Sequence, residues 1–175
     1  MPAGRQNPSQ STTFISCTFT HLRSTSNGGA ISFSNKANGI LTVSFCIFTE
    51  CSCTVPCAEF YGGGAVFSNC GKFFSSSSSY ISCVSPSHGG GILTQTSCVA
   101  TIASSAFISC SASFAGGGMI SYNGSSVSVS DSRFMCCHCT LYGGGLYHNC
   151  LQSQPITLRN SLFTQNEAFY LNTVS

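Results

Sequence analysis

Clusters of glycine recur along this chain at a nearly constant interval. They end at Gly29, Gly64, Gly91, Gly118 and Gly145, so that the successive spacings are 35, 27, 27 and 27 residues. Self-similarity at a fixed spacing constrains the fold more strongly than any local propensity does. Because such a short unit cannot bury an apolar face alone, the units are expected to stack on one another.

An aromatic residue precedes each glycine cluster, and a partner follows it three residues later. The pairs are Phe19 with Leu22, Phe48 with Cys51, Tyr80 with Cys83, Phe107 with Cys110, Phe134 with Cys137, and Phe163 with Asn166. Two residues before each aromatic lies a small side chain: Cys17, Cys46, Ser78, Ser105, Ser132 and Ser161. These positions predict columns, in which one residue of each unit lies above its equivalent in the next.

Pairs of apolar residues spaced by two precede most of the aromatics, and this spacing is typical of a strand. They are Leu41 and Val43, Ala100 and Ile102, Val127 and Val129, and Ile156 and Leu158, while Ser75 interrupts the pattern after Phe73. Each unit therefore predicts three short strands: one at this pair, one ending at the aromatic, and one after the glycines. The glycines are expected to form a sharp corner that needs positive φ or close backbone approach. A phosphate-binding loop is the disfavoured alternative, because the helix and lysine that it requires do not follow the glycines.

The predicted fold is all-β: a right-handed, single-stranded parallel β-helix of about six coils of roughly 27 residues. We expect a polar lead over residues 1–13 and the β-helix over 14–175. Since the last coil stops before a glycine corner, its edge is expected to be truncated or uncapped. Further coils of a longer chain, a partner, or self-association would then complete that edge.

Two of these motifs resemble the repeats of the chlamydial polymorphic outer-membrane protein family. The elements are G-G-A-I at Gly28 to Ile31 and F-x-x-N at Phe163 to Asn166, in register over nearly the whole chain. Similar repeats of protist surface proteins often carry Cys at the Asn position, as at Cys51, Cys83, Cys110 and Cys137. The resemblance implies a β-helix that is displayed on a surface and used in adhesion.

Charged residues are unusually scarce, at 6% of 175 residues with a net charge of +2. Six cations give no basic face, which argues against nucleic acid as a partner. The carboxylates are Glu50, Glu59, Asp131 and Glu167. They fall at different positions of the repeat, so no pair is expected to meet as polysaccharide-active β-helix enzymes require. We expect no enzymatic activity, no catalytic residues and no cofactor.

Thirteen cysteines leave several chemistries open. The column of Cys51, Cys83, Cys110 and Cys137 is expected to pack as small apolar groups, with disulfides between coils or within the insertion at residues 52–61 as the alternative. A zinc site from Cys136 to Cys139, with His148 and Cys150, is a weaker alternative, because neighbouring strand residues point to opposite faces. No metal site is therefore predicted.

The cysteine content favours an oxidising compartment, whereas residues 1–10 do not resemble a signal peptide and no apolar run is long enough to span a bilayer. We expect a cell-surface or extracellular segment of a longer exported chain that contacts a protein or glycan surface, with an intracellular structural assembly as the alternative. Tyr61, Phe114 and Tyr142 are candidates for an aromatic contact stripe, although packing against the insertion or neighbouring turns is the favoured interpretation, and His88 is expected to face solvent. Asn123-Gly124-Ser125 is a glycosylation sequon.

Overall fold

A computed structural model describes residues 11–54, 62–149 and 154–169 of the chain. Every regular element in these ranges is a β-strand, and every strand pair is parallel. The strands stack as a β-solenoid of about five turns, with a spacing of about 28 residues. The predicted parallel β-solenoid is confirmed.

Three sheets form the sides of the solenoid. The first contains β1 Ser11–Ile15, β4 Ile31–Ser44, β7 Val66–Ser76, β10 Ile92–Thr94, β11 Val99–Ala103, β14 Met119–Tyr122, β15 Ser126–Ser130, β18 Leu146–Asn149 and β19 Ile156–Arg159. The second contains β2 Thr18–Thr20, β5 Ile47–Thr49, β8 Ser79–Ile81, β12 Ala106–Ile108, β16 Arg133–Met135 and β20 Leu162–Thr164. The third contains β3 Arg23–Ser24, β6 Ser52–Cys53, β9 Val84–Ser85, β13 Ser111–Ala112 and β17 His138–Cys139.

The strands of a coil differ from the prediction in two respects. The strands at the apolar pair and after the glycines both belong to the first sheet, where they are continuous in β4 and β7 and separate in later coils. A further strand of two residues, which shows no apolar periodicity, begins four residues after each of the first five aromatics, and these strands form the third sheet. The first strand also begins at Ser11, before the expected start of the solenoid at Phe14.

The six predicted aromatics form a continuous stack through the interior. Neighbouring ring centroids lie 4.7, 4.8, 4.7, 4.4 and 4.7 Å apart from Phe19 to Phe163. These separations match the spacing of about 4.8 Å between parallel strands. Each ring therefore packs face to face on its equivalent in the next coil and ties the coils together.

The small residues two positions before the aromatics form hydrogen bonds with backbone groups. The Ser105 hydroxyl accepts the N–H of Ser78 at 3.3 Å and donates to the Ala103 carbonyl at 2.9 Å. Ser132 repeats both contacts with Ser105 and Ser130, at 3.1 and 2.7 Å. Serine therefore satisfies two backbone groups at the corner between the first and second sheets.

The column of residues three positions after the aromatics shows why Asn and Cys can occupy the same position of the repeat. Asn166 Oδ1 accepts the N–H of Cys137 at 2.9 Å, and its Nδ2 donates to the Phe134 carbonyl at 3.0 Å. The Cys110 thiol makes the equivalent of the second contact, donating to the Tyr80 carbonyl at 3.2 Å. Both side chains thus bind the carbonyl of the stacked aromatic in the preceding coil.

Glycine corners have the expected positive φ at one column, which comprises Gly28, Gly63, Gly89, Gly116 and Gly143. Comparing the clusters by their last glycine was, however, wrong by one residue for the first two clusters. Ile31 and Val66 pair in register with Ile92, so Gly29 and Gly64 are equivalent to Gly90. The column that contains Gly91, Gly118 and Gly145 accordingly holds alanine, at Ala30 and Ala65, in the first two coils.

Two further corners of each coil use non-glycine residues in the left-handed region. One column follows the first sheet and comprises Ser16, Phe45, Ser77, Ser104, Asp131 and Asn160. The other follows the second sheet and comprises His21, Glu50, Ser82, Ser109, Cys136 and Gln165. Because these corners turn the side chains outward, the second column contributes to the wall of the candidate site.

Candidate functional site: a groove along the third sheet

The outer face of the third sheet forms a groove along the solenoid axis. Pairing places Arg23 beside Ser52, Ser52 beside Val84, Val84 beside Ser111, and Ser111 beside His138. Alternate residues such as Cys53 and Ala112 point inward and are buried. The outward residues line a groove of about 740 Å³ that reaches from His21 to Thr140.

Hydroxyl groups recur along the groove, and an apolar patch lies near its middle. Ser52, Ser82, Ser111 and Ser113 contribute hydroxyl groups. Val84 is 44% exposed between them. The formally charged residues of the lining, Arg23 and Glu50, lie at one end, so the central surface is neutral.

A contact between a histidine and a glutamate of successive coils lies near each end of the groove. His21 Nδ1 lies 2.9 Å from Glu50 Oε2 in the first two coils. His138 Nδ1 lies 3.8 Å from Glu167 Oε2 in the last two. All four side chains are more than half exposed, so the pairs mark the ends of the groove and add little stability.

Carboxylates in the described ranges are far apart. Glu50 and Glu167 belong to rungs four coils apart, which corresponds to about 19 Å at the strand spacing. Asp131 lies on the other corner column, where it accepts a hydrogen bond from Asn160 Nδ2 at 3.3 Å. Glu59 lies outside the described residues. A glycosidase pair is separated by about 5 to 10 Å, so these three residues do not form one.

The predicted cysteine column lies in the interior as thiols. Cys51, Cys83, Cys110 and Cys137 are buried, and every cysteine in the described ranges is free. Burial raises the pKa of the Cys110 thiol well above its ordinary value. This supports packing as the role of the column, whereas Cys57 of the proposed insertion disulfide lies outside the described residues.

The residues of the weaker zinc alternative lie on two opposite faces of the strand, as strand alternation predicts. Cys137 and Cys139 are buried, whereas Cys136 and His138 are exposed. No three His, Cys, Asp or Glu side chains of the described chain come together as metal ligands. Cys150 falls in a range that the structure does not describe.

A second cluster of aromatic residues lies outside the first sheet. Phe114 is 43% exposed, and its ring centroid lies 6.0 Å from that of Tyr142, which in turn stacks on Tyr147 at 5.5 Å. The cluster packs against the buried side chains Phe67, Leu93 and Ile120. Packing on neighbouring turns therefore accounts for most of its surface, and Tyr61 lies outside the described residues.

The expectation that His88 faces solvent was wrong. Its side chain is buried, its Nδ1 lies 2.6 Å from Ser87 Oγ, and its ring lies 4.8 Å from that of Phe114. A position beside a glycine corner suggested exposure, but side chains of the following coils cover the ring. His88 therefore belongs to the aromatic cluster rather than to the groove.

Several groove residues were not identified from the sequence, namely His21, Arg23 and Val84. Residues that face outward are free to differ between coils, so they produce no self-similar pattern. The available signal was their fixed offset from the aromatic column, which places Arg23, Ser52, Val84, Ser111 and His138 four residues after their rings.

Comparison with protein-family models, with curated proteins and with solved structures finds no match to this chain. In the part of the chain that the structure describes, no helix is long and apolar enough to cross a membrane.

Proposed function

We propose that this chain is a non-enzymatic, adhesin-like solenoid segment that is displayed on a cell surface. Its third-sheet groove contacts an extended glycan or protein chain. The observation that carries the proposal is the continuous groove of about 740 Å³, whose neutral centre combines serine hydroxyls with the apolar side chain of Val84. The resemblance to surface-displayed repeat proteins, carried by Gly28 to Ile31 and Phe163 to Asn166, points in the same direction.

The backbone that carries the groove is held rigidly. Successive coils are joined by hydrogen bonds such as Ser111 N–H to the Cys83 carbonyl and His138 N–H to the Cys110 carbonyl, both 2.9 Å. Because binding to a preorganised surface costs less conformational entropy, weak contacts repeated at each coil can add up along an elongated ligand. The periodic wall fits a ligand that is itself repetitive.

The lining favours a neutral glycan over a strongly charged one. Serine hydroxyls both donate and accept hydrogen bonds, and Val84 offers the apolar contact that the carbon faces of sugar rings require. Arg23 is the single permanent cation of the groove, which is too little to hold a polyanion. The distance between Glu50 and Glu167 supports binding without hydrolysis.

A panel of immobilised neutral and acidic oligosaccharides, together with extracellular-matrix proteins, tests the proposal. Ser111→Tyr places a bulky side chain in the middle of the groove and should lower binding at least about tenfold. Thr101→Tyr is the matched control, since it lies on the outer face of the first sheet beside the exposed Phe74. Equal loss in both variants, or binding by neither the wild type nor the control, would contradict the proposal.

A structural scaffold element within a cell is the second candidate function. The observation that favours it is the thiol state, because eleven described cysteines are free and ten of these are at least partly buried. Packing thus accounts for these cysteines without an oxidising compartment. A thiol count on the native protein, together with its location, separates the two: free thiols in a cytosolic location favour the scaffold, whereas glycosylation at the exposed Asn123 favours export.

A further inference from the structure

Opposite charges lie at the two ends of one outward column. The column runs from the first coil to the last: Arg23, Ser52, Val84, Ser111, His138 and Glu167. Arg23 is exposed and forms no ion pair with any described residue, while the Glu167 side chain is 81% exposed. One coil beyond Glu167, the same column would place a residue about 4.8 Å away.

Both end coils have strand edges that no described strand covers. In the first coil, β1, β2 and β3 pair on one side only, with β4, β5 and β6. In the last coil, β19 pairs with β15, and β20 with β16. Uncovered edges of parallel strands are templates for pairing with another chain.

Apolar groups accompany the edge of the last coil. Leu158 and Leu162 are 39% and 56% exposed, and the ring of Phe163 is covered by Phe134 on one side. At the other end, Phe19 opens the same aromatic stack, and Phe14 belongs to the same column as Leu158. Two interior columns therefore match apolar on apolar at the two ends, Phe163 with Phe19 and Leu158 with Phe14, whereas Leu162 shares its column with Thr18.

We propose that two copies of this chain associate head to tail, with the last coil of one copy stacked on the first coil of the next. Glu167 of one copy then meets Arg23 of the second copy, while Gln165 meets His21 and Arg159 meets Ile15. No like charges face each other among these columns. Because the two contact surfaces differ, the association does not close and produces a linear chain of copies, along which the third-sheet groove continues.

Charge reversal tests this arrangement on the full-length protein by sedimentation velocity at low salt, over a concentration series. Arg23→Glu places two glutamates at the junction, and Glu167→Arg places two arginines there. Each variant alone should associate about five- to tenfold more weakly than the wild type. Arg133→Glu, an exposed reversal in the fifth coil, is the control and should leave association unchanged.

Mixing the two variants is the decisive step. In an equimolar mixture of Arg23→Glu and Glu167→Arg, alternating copies place opposite charges at every junction, so association should return to within about twofold of the wild type. A strictly monomeric wild type, a control that weakens equally, or a mixture that stays as weak as its components would overturn the proposal. Glycan binding by single copies of the wild type does not depend on this association, so a failure of the association is distinct from a failure of the proposed function.

Discussion

Glycine at the corner serves two different needs, and only one of them is conformational. Gly89 has a φ of +61°, which is favourable for glycine because it has no Cβ. Gly90 is instead required for space, since a Cβ there would lie 2.2 Å from the Gly117 carbonyl oxygen and 2.5 Å from that of Ser111. The next column tolerates a methyl group, as Ala30 and Ala65 show.

Gly90→Ala is therefore expected to destabilise the solenoid by about 3 kcal/mol or more, because two backbone segments of the next coil must move apart. Gly145→Ala is the matched control, since the nearest atoms to its Cβ are side-chain atoms of Asn166 and Phe163 at 3.1 Å. It should cost less than about 1 kcal/mol. Urea unfolding measures both, and equal losses would contradict the steric explanation.

At the scale of the element, one irregularity in the repeat has a physical cause. Ser75 interrupts the apolar pair of its coil, and Tyr80 is the only tyrosine in the aromatic column. Their hydroxyls lie 2.9 Å apart, and both side chains are buried. The serine is thus the partner that the tyrosine hydroxyl needs in the interior.

A double-mutant cycle tests this pair. Tyr80→Phe or Ser75→Ala alone leaves one buried hydroxyl without its partner and should cost about 1–3 kcal/mol. Because the double variant removes both hydroxyls, its loss should fall short of the sum by at least about 1 kcal/mol. Denaturant unfolding of the four proteins provides the comparison, and strictly additive losses would show that the hydroxyls do not act as a pair.

The interior elements were predictable because they must repeat. A ring at Phe107 stacks only on a ring at the same place in the next coil, so the column appears in the sequence as a fixed spacing. The left-handed corners at Ser104 and Ser109 were not predictable, since serine gives no signal of positive φ. The third sheet was not predicted for a similar reason, because two-residue strands such as Ser111–Ala112 are too short to show an apolar alternation.

Several thiols and one tyrosine hydroxyl are buried in their neutral forms in the interior of the molecule. Burial raises the pKa of Cys46, Cys110, Cys139 and Tyr80 above their ordinary values. In the unfolded chain the thiols lose protons near pH 8.5, whereas in the folded chain they retain them. The stabilisation that comes from keeping these thiols neutral is complete below this pH and is lost as the pH rises above it.

Urea midpoints measured from pH 7 to pH 10 under reducing conditions should consequently be constant up to about pH 8 and then fall. Native thiol labelling at pH 8 should modify the exposed Cys136 first and the interior column only on unfolding. A midpoint that stays constant to pH 10 would contradict the buried thiol column.

The groove depends on the stacking of the whole molecule, because segments far apart in sequence form its wall. Residues 50–54, 82–86, 109–113 and 136–140 each contribute one step of it. A contiguous recognition loop would instead occupy a single stretch of the chain. Any ligand that lies along the groove must therefore contact the sequence at intervals of about one coil.

Hydrogen exchange, measured on the complex with the best ligand of the binding panel, tests whether the ligand contacts the sequence at intervals of about one coil. Increased protection is expected in three or more of these four segments, at intervals of 27 to 32 residues, with little change in the strands of the first sheet. Protection confined to one continuous segment, or centred on the aromatic cluster around Phe114, would contradict it.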